Sequence, residues 1–183
     1  MRRSPGTDAP GPPDLEITFM RRRHLKGVLA IERQVYPRPW SPTLFISEMS
    51  EPRNRVYLVA RLGRDVAGYA GLMSYGDEAH VTTIAVDPVH HRRKIATRLL
   101  LDLVKRAREM GARAVSLEVR VSNWGAQRLY GRFGFRPVGV RKGYYQETNE
   151  DALVMWADEI DQPEYERLLE RIAAAATPEV SAP

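Results

Sequence analysis

The chain has 183 residues, of which 43% are hydrophobic, and this suits one domain with a single core and short extensions. It contains no cysteine, which excludes disulfides, cysteine nucleophiles and cysteine metal sites. No apolar run approaches the roughly 20 residues that cross a bilayer, and the first residues lack the apolar stretch of a secretory signal. These features favour a cytoplasmic protein without a membrane partner.

The formal net charge is +5. A basic balance favours anionic partners such as nucleotides, nucleic acid or the ribosome surface. Arginine is spread along the whole chain, however, and is not gathered into one block. We therefore do not expect nucleic acid to be a direct ligand.

The order of the segments predicts one main domain with two extensions. Residues 1–13 carry four prolines and two glycines, which predicts a disordered tail. The predicted domain covers residues 14–160. A C-terminal helix and tail follow over residues 161–183, with Pro163 at the start of the helix.

The first elements are a strand and two helices. Alternating polarity predicts a strand over residues 15–20, and helical spacing of apolar residues predicts an amphipathic helix over residues 22–35. Two prolines within residues 36–40 end that helix. Ser41 then predicts the N-cap of a second helix, which begins at Pro42 and runs through Met49.

The rest of the chain alternates strands and helices. A meander of three strands is predicted, with a three-residue hairpin loop at Gly63-Arg64-Asp65. After it we predict a helix, a strand, a helix and two strands. The three meander strands are predicted at 55–62, 66–74 and 78–86. The later helix, strand, helix and two strands are predicted at 93–110, 114–121, 123–132, 135–142 and 152–156, in that order. The order predicts an α/β fold of the mixed type, whose mostly antiparallel sheet holds one parallel strand pair joined by a right-handed crossover, with helices on both faces.

The crossover contains a basic turn that leads into a helix, over residues 90–97. A helix N-terminus offers unpaired backbone N–H groups and a partial positive charge, and it therefore binds anions. With two or three basic side chains added, the turn suits a diphosphate. The alternative is a basic loop without a ligand.

The strand after the crossover carries a carboxylate at Glu118. Ser116, Glu118 and Arg120 share one face, and Leu117 and Val119 share the other. One interpretation is an exposed face or an ion pair between Glu118 and Arg120. The other is a partly buried carboxylate suited to act as a general base.

Asn123 and Tyr130 are seven residues apart, which is about two helical turns and places both on one helix face. Without a ligand, Asn123 would serve only as a helix cap and Tyr130 only as core packing. His80 lies on the strand before the crossover. It is either half exposed without a role or an auxiliary base.

Together, these segments resemble the GNAT acetyltransferase superfamily over about residues 15–157, and most nearly its N-terminal acetyltransferases of the RimI and archaeal Ard type. The resemblance lies in the joint order and spacing of short segments. These are Pro39-Trp40-Ser41, Ile84–Pro88, Arg92–Thr97, Leu117–Asn123, Leu129-Tyr130, Gly134-Phe135, and Gly143-Tyr144-Tyr145 followed by Glu150-Asp151-Ala152.

The resemblance implies the GNAT fold, acetyl-CoA as co-substrate and no metal. It implies that Asn123 binds the pantetheine arm. It also implies two backbone sites. Acetyl and pantetheine would be held at Ile84, Ala85 and Val86, and the pyrophosphate at Arg92, Arg93, Lys94, Ile95, Ala96 and Thr97. For the chemistry it implies that Glu118 is the general base and that Tyr130 protonates the departing thiolate. Trp40, Tyr144 and Tyr145 would line the acceptor groove.

The loop departs from the pattern usual in the family at Lys94, where glycine is typical. A left-handed backbone there would cost a lysine roughly 1 kcal/mol. A helical backbone would instead let its ammonium reach a phosphate. The departure bears on the tightness of cofactor binding more than on the fold.

The expected acceptor is a protein or peptide N-terminus, with ribosomal protein alanine as the leading candidate by the resemblance. An α-amino group has a pKa of about 8, against about 10.4 for lysine, so a modest base is enough. The loop at Gly143-Tyr144-Tyr145 favours a peptide acceptor, because its hydroxyls can bond a peptide backbone. Two alternatives stay open: a small amine or lysine side chain as acceptor, and a non-catalytic acyl-CoA-binding or ribosome-associated module.

Overall fold

The computed structural model describes residues 14–176, and the predicted tail at residues 1–13 lies outside them. The strands are β1 Leu15–Phe19, β2 Arg55–Leu62, β3 Asp65–Tyr75, β4 Glu78–Val86, β5 Ala114–Arg120, β6 Arg136–Tyr145 and β7 Glu150–Ala157. The helices are α1 Leu25–Val35, α2 Pro42–Met49, α3 Ile95–Glu109, α4 Trp124–Arg132 and α5 Pro163–Ala176.

The strands form one sheet in the order β1-β2-β3-β4-β5-β7-β6. Only β4 and β5 are parallel, and α3 connects them, as the sequence predicts for the crossover. All other neighbours pair antiparallel. The predicted fold class, a mixed sheet with one parallel pair, is confirmed.

The sheet divides the hydrophobic core into two clusters, because successive side chains of a strand point to opposite faces. In β2, Leu58 and Ala60 belong to the cluster that α3 and α5 cover. Tyr57 and Val59 belong to the cluster that α1 and α2 cover. Helices therefore lie on both faces of the sheet, as predicted.

Most predicted element bounds agree with the structure to within two residues, but α1 begins three residues late, at Leu25, because Arg22–His24 form a 3-10 helix. Three further differences each have a physical reason. The first hairpin turn has two residues, because Asp65 already pairs with Leu62. The segment Gly143-Tyr144-Tyr145 is not a loop but the end of β6, which continues through a bulge that Gly143 forms with φ +59°. Helix α3 begins two residues late, since the backbone of Lys94 is left-handed.

The C-terminal helix α5 packs on the domain and does not extend from it. Its buried residues include Leu169 and Ile172, which join the cluster under α3. The Tyr165 hydroxyl donates a buried hydrogen bond of 2.6 Å to the carbonyl of Phe133, at the end of α4. Helix α5 therefore supports the elements beside the crossover.

Candidate active site

A cleft opens where β4 and β5 separate. The two strands pair only at three positions, from Glu78 opposite Ala114 to His80 opposite Ser116. Beyond His80 they diverge and leave a cavity of about 380 Å³. The cavity lies between the two parallel strands of the crossover.

A bulge in β4 accompanies this separation. The register between β3 and β4 shifts at Thr82. This residue has no partner in β3, because its two neighbours in β4 pair with Leu72 and Gly71, which are consecutive. The Tyr57 hydroxyl lies 3.2 Å from Thr82 Oγ1, and a Cβ on Gly71 would overlap the Tyr57 ring and approach Thr82 Oγ1 to 2.7 Å. Glycine at position 71 therefore lets the tyrosine ring pack under the bulge.

The carboxylate of Glu118 lies in the cleft with its side chain only 9% exposed. One oxygen is 3.0 Å from His80 Nε2, and the other is 3.3 Å from an Arg141 guanidinium nitrogen. A partly buried carboxylate in a cleft matches the second of the two interpretations of Glu118. The exposed face is excluded.

The predicted alternative of an ion pair between Glu118 and Arg120 is wrong. Arg120 instead bonds Glu147 at 2.6 Å and Glu150 at 3.1 Å, and its guanidinium lies over the Tyr145 ring at 3.9 Å. These carboxylates come from the turn between β6 and β7 and from the start of β7, which sequence spacing could not place next to Arg120.

His80 connects Glu118 to a serine. Its Nδ1 lies 2.9 Å from Ser116 Oγ, while its Nε2 faces Glu118. Burial lowers the pKa of His80, although the negative charge of Glu118 opposes that shift. The imidazole is therefore neutral at neutral pH, and its Nε2 faces the carboxylate of Glu118.

Tyr130 reaches the cleft from α4 and is 5% exposed. Burial, followed by the nearby phenols of Tyr36 and Tyr145, raises the pKa of Tyr130 above its usual value. Within residues 14–176 its hydroxyl makes no hydrogen bond. Tyr130 is therefore a protonated phenol whose O–H group can donate a hydrogen bond to a ligand.

The other predicted cleft residues also lie there. Asn123 caps α4, since its Oδ1 accepts from the backbone N–H of Ala126 at 3.1 Å, and it lines the cleft as well. Trp40 packs against Phe45 with ring centres 5.3 Å apart. Tyr144 and Tyr145 also line the cleft, and their rings meet edge to face with centres 5.1 Å apart.

Beyond Thr82, no strand within residues 14–176 covers one edge of the β4 backbone. The Ile84 carbonyl accepts from the Tyr36 hydroxyl at 3.1 Å, and the Val86 carbonyl lies 3.3 Å from His91 Nε2. The Ala85 carbonyl lies against Gly68 of β3 instead. Because carbonyls alternate along a strand, Ile84 and Val86 face the open edge and Ala85 does not.

The loop before α3 contains two left-handed residues, Arg92 with φ 60° and Lys94 with φ 58°. Such alternation turns successive N–H groups into a concavity that binds anions, next to the N-terminus of α3. Arg92, Arg93 and Lys94 are exposed, whereas the side chains of Ile95 and Thr97 are buried. These two can offer only backbone groups to a ligand.

Lys94 thus takes the strained of the two conformations that the sequence left open. Its ammonium does not point into the loop but donates to the carbonyl of Ala175 at 2.5 Å, near the end of α5. Last-turn carbonyls of a helix lack intrahelical partners and attract cations. The C-terminal helix therefore holds the side chain that replaces the usual glycine.

Sequence reasoning gave no role to several polar residues in or beside this cleft, among them Glu32, Tyr36 and Arg141. Glu32 is 2% exposed and accepts the Trp40 backbone N–H at 2.9 Å, and burial raises its pKa. One signal was present, because Glu32 continues the helical spacing of buried Leu25 and Val28. A carboxylate at a core position is unusual unless it has a partner.

Among residues 14–176, no cluster of three or more histidines, aspartates and glutamates could hold a metal ion. None of the helices there is long and apolar enough to cross a membrane.

The sequence model of the acetyltransferase (GNAT) family matches residues 25–135. The chain belongs to this family. It is 41% identical over 127 residues to the N-alpha-acetyltransferase RimI of Mycobacterium tuberculosis, covering 67% of this chain and 78% of that one. It is 33% identical over 141 residues to the [ribosomal protein bS18]-alanine N-acetyltransferase of Escherichia coli K12, covering 76% and 94%.

The fold agrees with a solved structure of this kind. The crystal structure of the ribosomal-protein-S18-alanine N-acetyltransferase from Escherichia coli superimposes with a TM-score of 0.72 at 29% identity, covering 80% of this chain and 94% of that one. The predicted resemblance and the predicted enzyme class, an N-acetyltransferase, are confirmed. The roles of individual residues stay predictions.

Proposed function

We propose that the enzyme transfers the acetyl group of acetyl-CoA to the α-amino group of a protein N-terminus. The observation that carries this proposal is the cleft between β4 and β5, which Glu118 and Tyr130 both line. One is a carboxylate able to take a proton, and the other is a phenol able to give one. Direct transfer to an amine needs both groups in one place.

The residues present fit the donor along its length. Ile84 and Val86 offer backbone groups on the open edge of β4, where the acetyl and pantetheine part would pair as an added strand. The helix cap uses only the side-chain oxygen of Asn123, so its amide nitrogen can donate to the pantetheine arm. The concave loop at Arg92–Lys94 and the start of α3 suit the pyrophosphate.

Acetyl-CoA supplies a thioester whose carbonyl carbon accepts the amine. Glu118 takes the proton of the incoming ammonium, directly or through water. His80, whose Nε2 lies 3.0 Å from the Glu118 carboxylate, shares that proton. The β4 backbone N–H groups stabilise the negative charge on the carbonyl oxygen. Tyr130 protonates the sulfur as the C–N bond forms and the C–S bond breaks. The products are an N-acetylated amine and CoA with a free thiol, and one proton passes to solvent.

An N-terminal acceptor fits the site better than a lysine or a small amine. Its lower pKa suits a single modest base. The phenols of Tyr144 and Tyr145 line the cleft and can bond a peptide backbone. The relative from Escherichia coli and the solved structure from that organism are both named as the alanine N-acetyltransferase of ribosomal protein S18. We propose ribosomal protein alanine as the acceptor and the cytoplasm as the place of reaction.

A peptide array with labelled acetyl-CoA tests the acceptor. The array compares N-terminal Ala, Ser, Gly and Met peptides with N-terminally blocked peptides that carry an internal lysine. We expect label on free N-termini, and most on alanine. Labelling confined to lysine would overturn the N-terminal assignment and favour the lysine or small-amine alternative.

A further inference from the structure

Tyr36 places a phenol at the point of the cleft where the acetyl group is expected. It is the first residue after α1, and its hydroxyl donates to the Ile84 carbonyl at 3.1 Å and lies 3.4 Å from Thr83 Oγ1. No role was predicted for it from the sequence. The mechanism proposed above does not use it either.

The Tyr36 hydroxyl lies close to the reacting groups. Tyr36 and Tyr130 both line the cleft, and the nearby phenol of Tyr36 contributes to the raised pKa of Tyr130. Burial also raises the pKa of Tyr36, which keeps its hydroxyl protonated and bonded to Ile84. The hydrogen bond to Ile84 therefore holds the Tyr36 side chain in place between α1 and the open edge of β4.

The Tyr36 side chain lies beside the space that an acyl group would fill. The side chains of Thr83 and Tyr36 meet beside Ile84, where the donor carbonyl would pair with the strand. An acyl chain longer than acetyl has to extend past that carbonyl. Tyr36 and Thr83 both line the cleft beside that position.

We propose that Tyr36 closes the acyl end of the cleft and selects acetyl-CoA over longer acyl-CoA donors. This inference rests on the donor site of the proposed function, but not on the identity of the acceptor. It assigns Tyr36 to donor selection and leaves proton transfer to Glu118 and Tyr130. Its consequence is a preference in chain length that one side chain sets.

The test measures acetyl-, propionyl- and butyryl-CoA with the wild type, Tyr36→Ala and Tyr36→Phe. The quantity is the ratio of kcat/KM for propionyl-CoA to kcat/KM for acetyl-CoA. Since one methylene in a pocket changes discrimination by roughly 10–200-fold, we expect Tyr36→Ala to raise the ratio about tenfold or more. Tyr36→Phe keeps the ring, so its ratio should stay near that of the wild type. The inference is overturned if this ratio is the same for Tyr36→Ala as for the wild type.

Tyr144→Ala is the matched control, because it removes another phenol of the same cleft, from β6. It should alter KM for the peptide and leave the donor ratio in place. An equal rise of the ratio in Tyr144→Ala would show general loosening and contradict the assignment to Tyr36.

Direct binding separates this inference from the proposed function. Calorimetric titration with acetyl-CoA and butyryl-CoA needs no acceptor. Failure of the wild type to bind acetyl-CoA would overturn the proposed function itself. Binding of acetyl-CoA with no gain for butyryl-CoA in Tyr36→Ala would overturn only the role of Tyr36. If Tyr36→Ala does not fold, Tyr36→Leu replaces it, since leucine keeps apolar bulk but does not reach Thr83.

Discussion

The β4–β5 cleft and the loop at Arg92–Lys94, which are both proposed to bind acetyl-CoA, hold their residues in different ways. In the cleft, side chains are held by other side chains, as Glu118 is by His80 and Arg141. In the loop, two residues take a left-handed backbone and their side chains are exposed. Changes to side-chain chemistry should therefore affect turnover in the cleft, whereas changes to backbone freedom should affect stability and affinity in the loop.

Replacing Glu118 with Gln should have the largest effect. Glutamine has the same shape but cannot take a proton, so we expect kcat to fall by roughly 10²–10⁴-fold. Stopped-flow or coupled detection of free CoA thiol at neutral pH measures it. Glu147→Gln is the control, since Glu147 lies at the cleft mouth and bonds Arg120. Unchanged turnover in Glu118→Gln would remove Glu118 as the base.

Replacing Tyr130 with Phe should lower kcat next most strongly, by about 10²-fold, because the leaving thiolate loses its proton donor. The ring remains and keeps its contact with Phe135, whose centre is 6.0 Å away. Acetyl-CoA affinity should therefore change little, as calorimetric titration would show. An equal loss of turnover and affinity would assign Tyr130 to binding or packing.

Acid should destabilise the protein through His80. Its pKa is lowered in the folded state, so the unfolded chain binds more protons as the pH falls below about 6.5. The stability that the neutral imidazole contributes is present above that pH and is lost as the pH falls through the folded pKa. Melting temperatures between pH 8 and pH 5 should fall more steeply for the wild type than for His80→Gln. Parallel curves would contradict this cause.

Lys94→Gly should have the smallest effect and the opposite sign. Glycine relieves left-handed strain worth roughly 1 kcal/mol, but the bond to Ala175 is lost. We expect a melting temperature equal to or slightly above that of the wild type. Arg92→Gly is the matched control, because it relieves the same strain at φ 60° without that bond. Clear destabilisation in Lys94→Gly alone would show that contact with α5 outweighs the strain.

The element order and the two buried faces could be predicted from the sequence. Periods of two and of 3.6 residues are local properties, and they placed β2, β4 and α2 at their observed bounds. The strand alternation placed Glu118 on the face opposite Leu117 and Val119. The seven-residue spacing placed Asn123 and Tyr130 together on α4, and both line the cleft.

The partners of these residues could not be predicted, because they come from distant parts of the chain. Arg141 reaches Glu118 from β6, and Tyr36 reaches Ile84 across 48 positions. The bulge at Thr82 depends on a tyrosine from β2 and a glycine from β3 that meet it only after the sheet has formed.

The sequence by itself therefore determined which elements form, in which order they follow, and that Glu118, Asn123 and Tyr130 are candidate site residues. Only the tertiary structure decided where β4 and β5 separate, which groups hold Glu118, and that Lys94 is left-handed and bonded to α5. The reason is that hydrophobic periodicity acts over a few residues, whereas hydrogen bonds and ion pairs join any atoms that packing brings together.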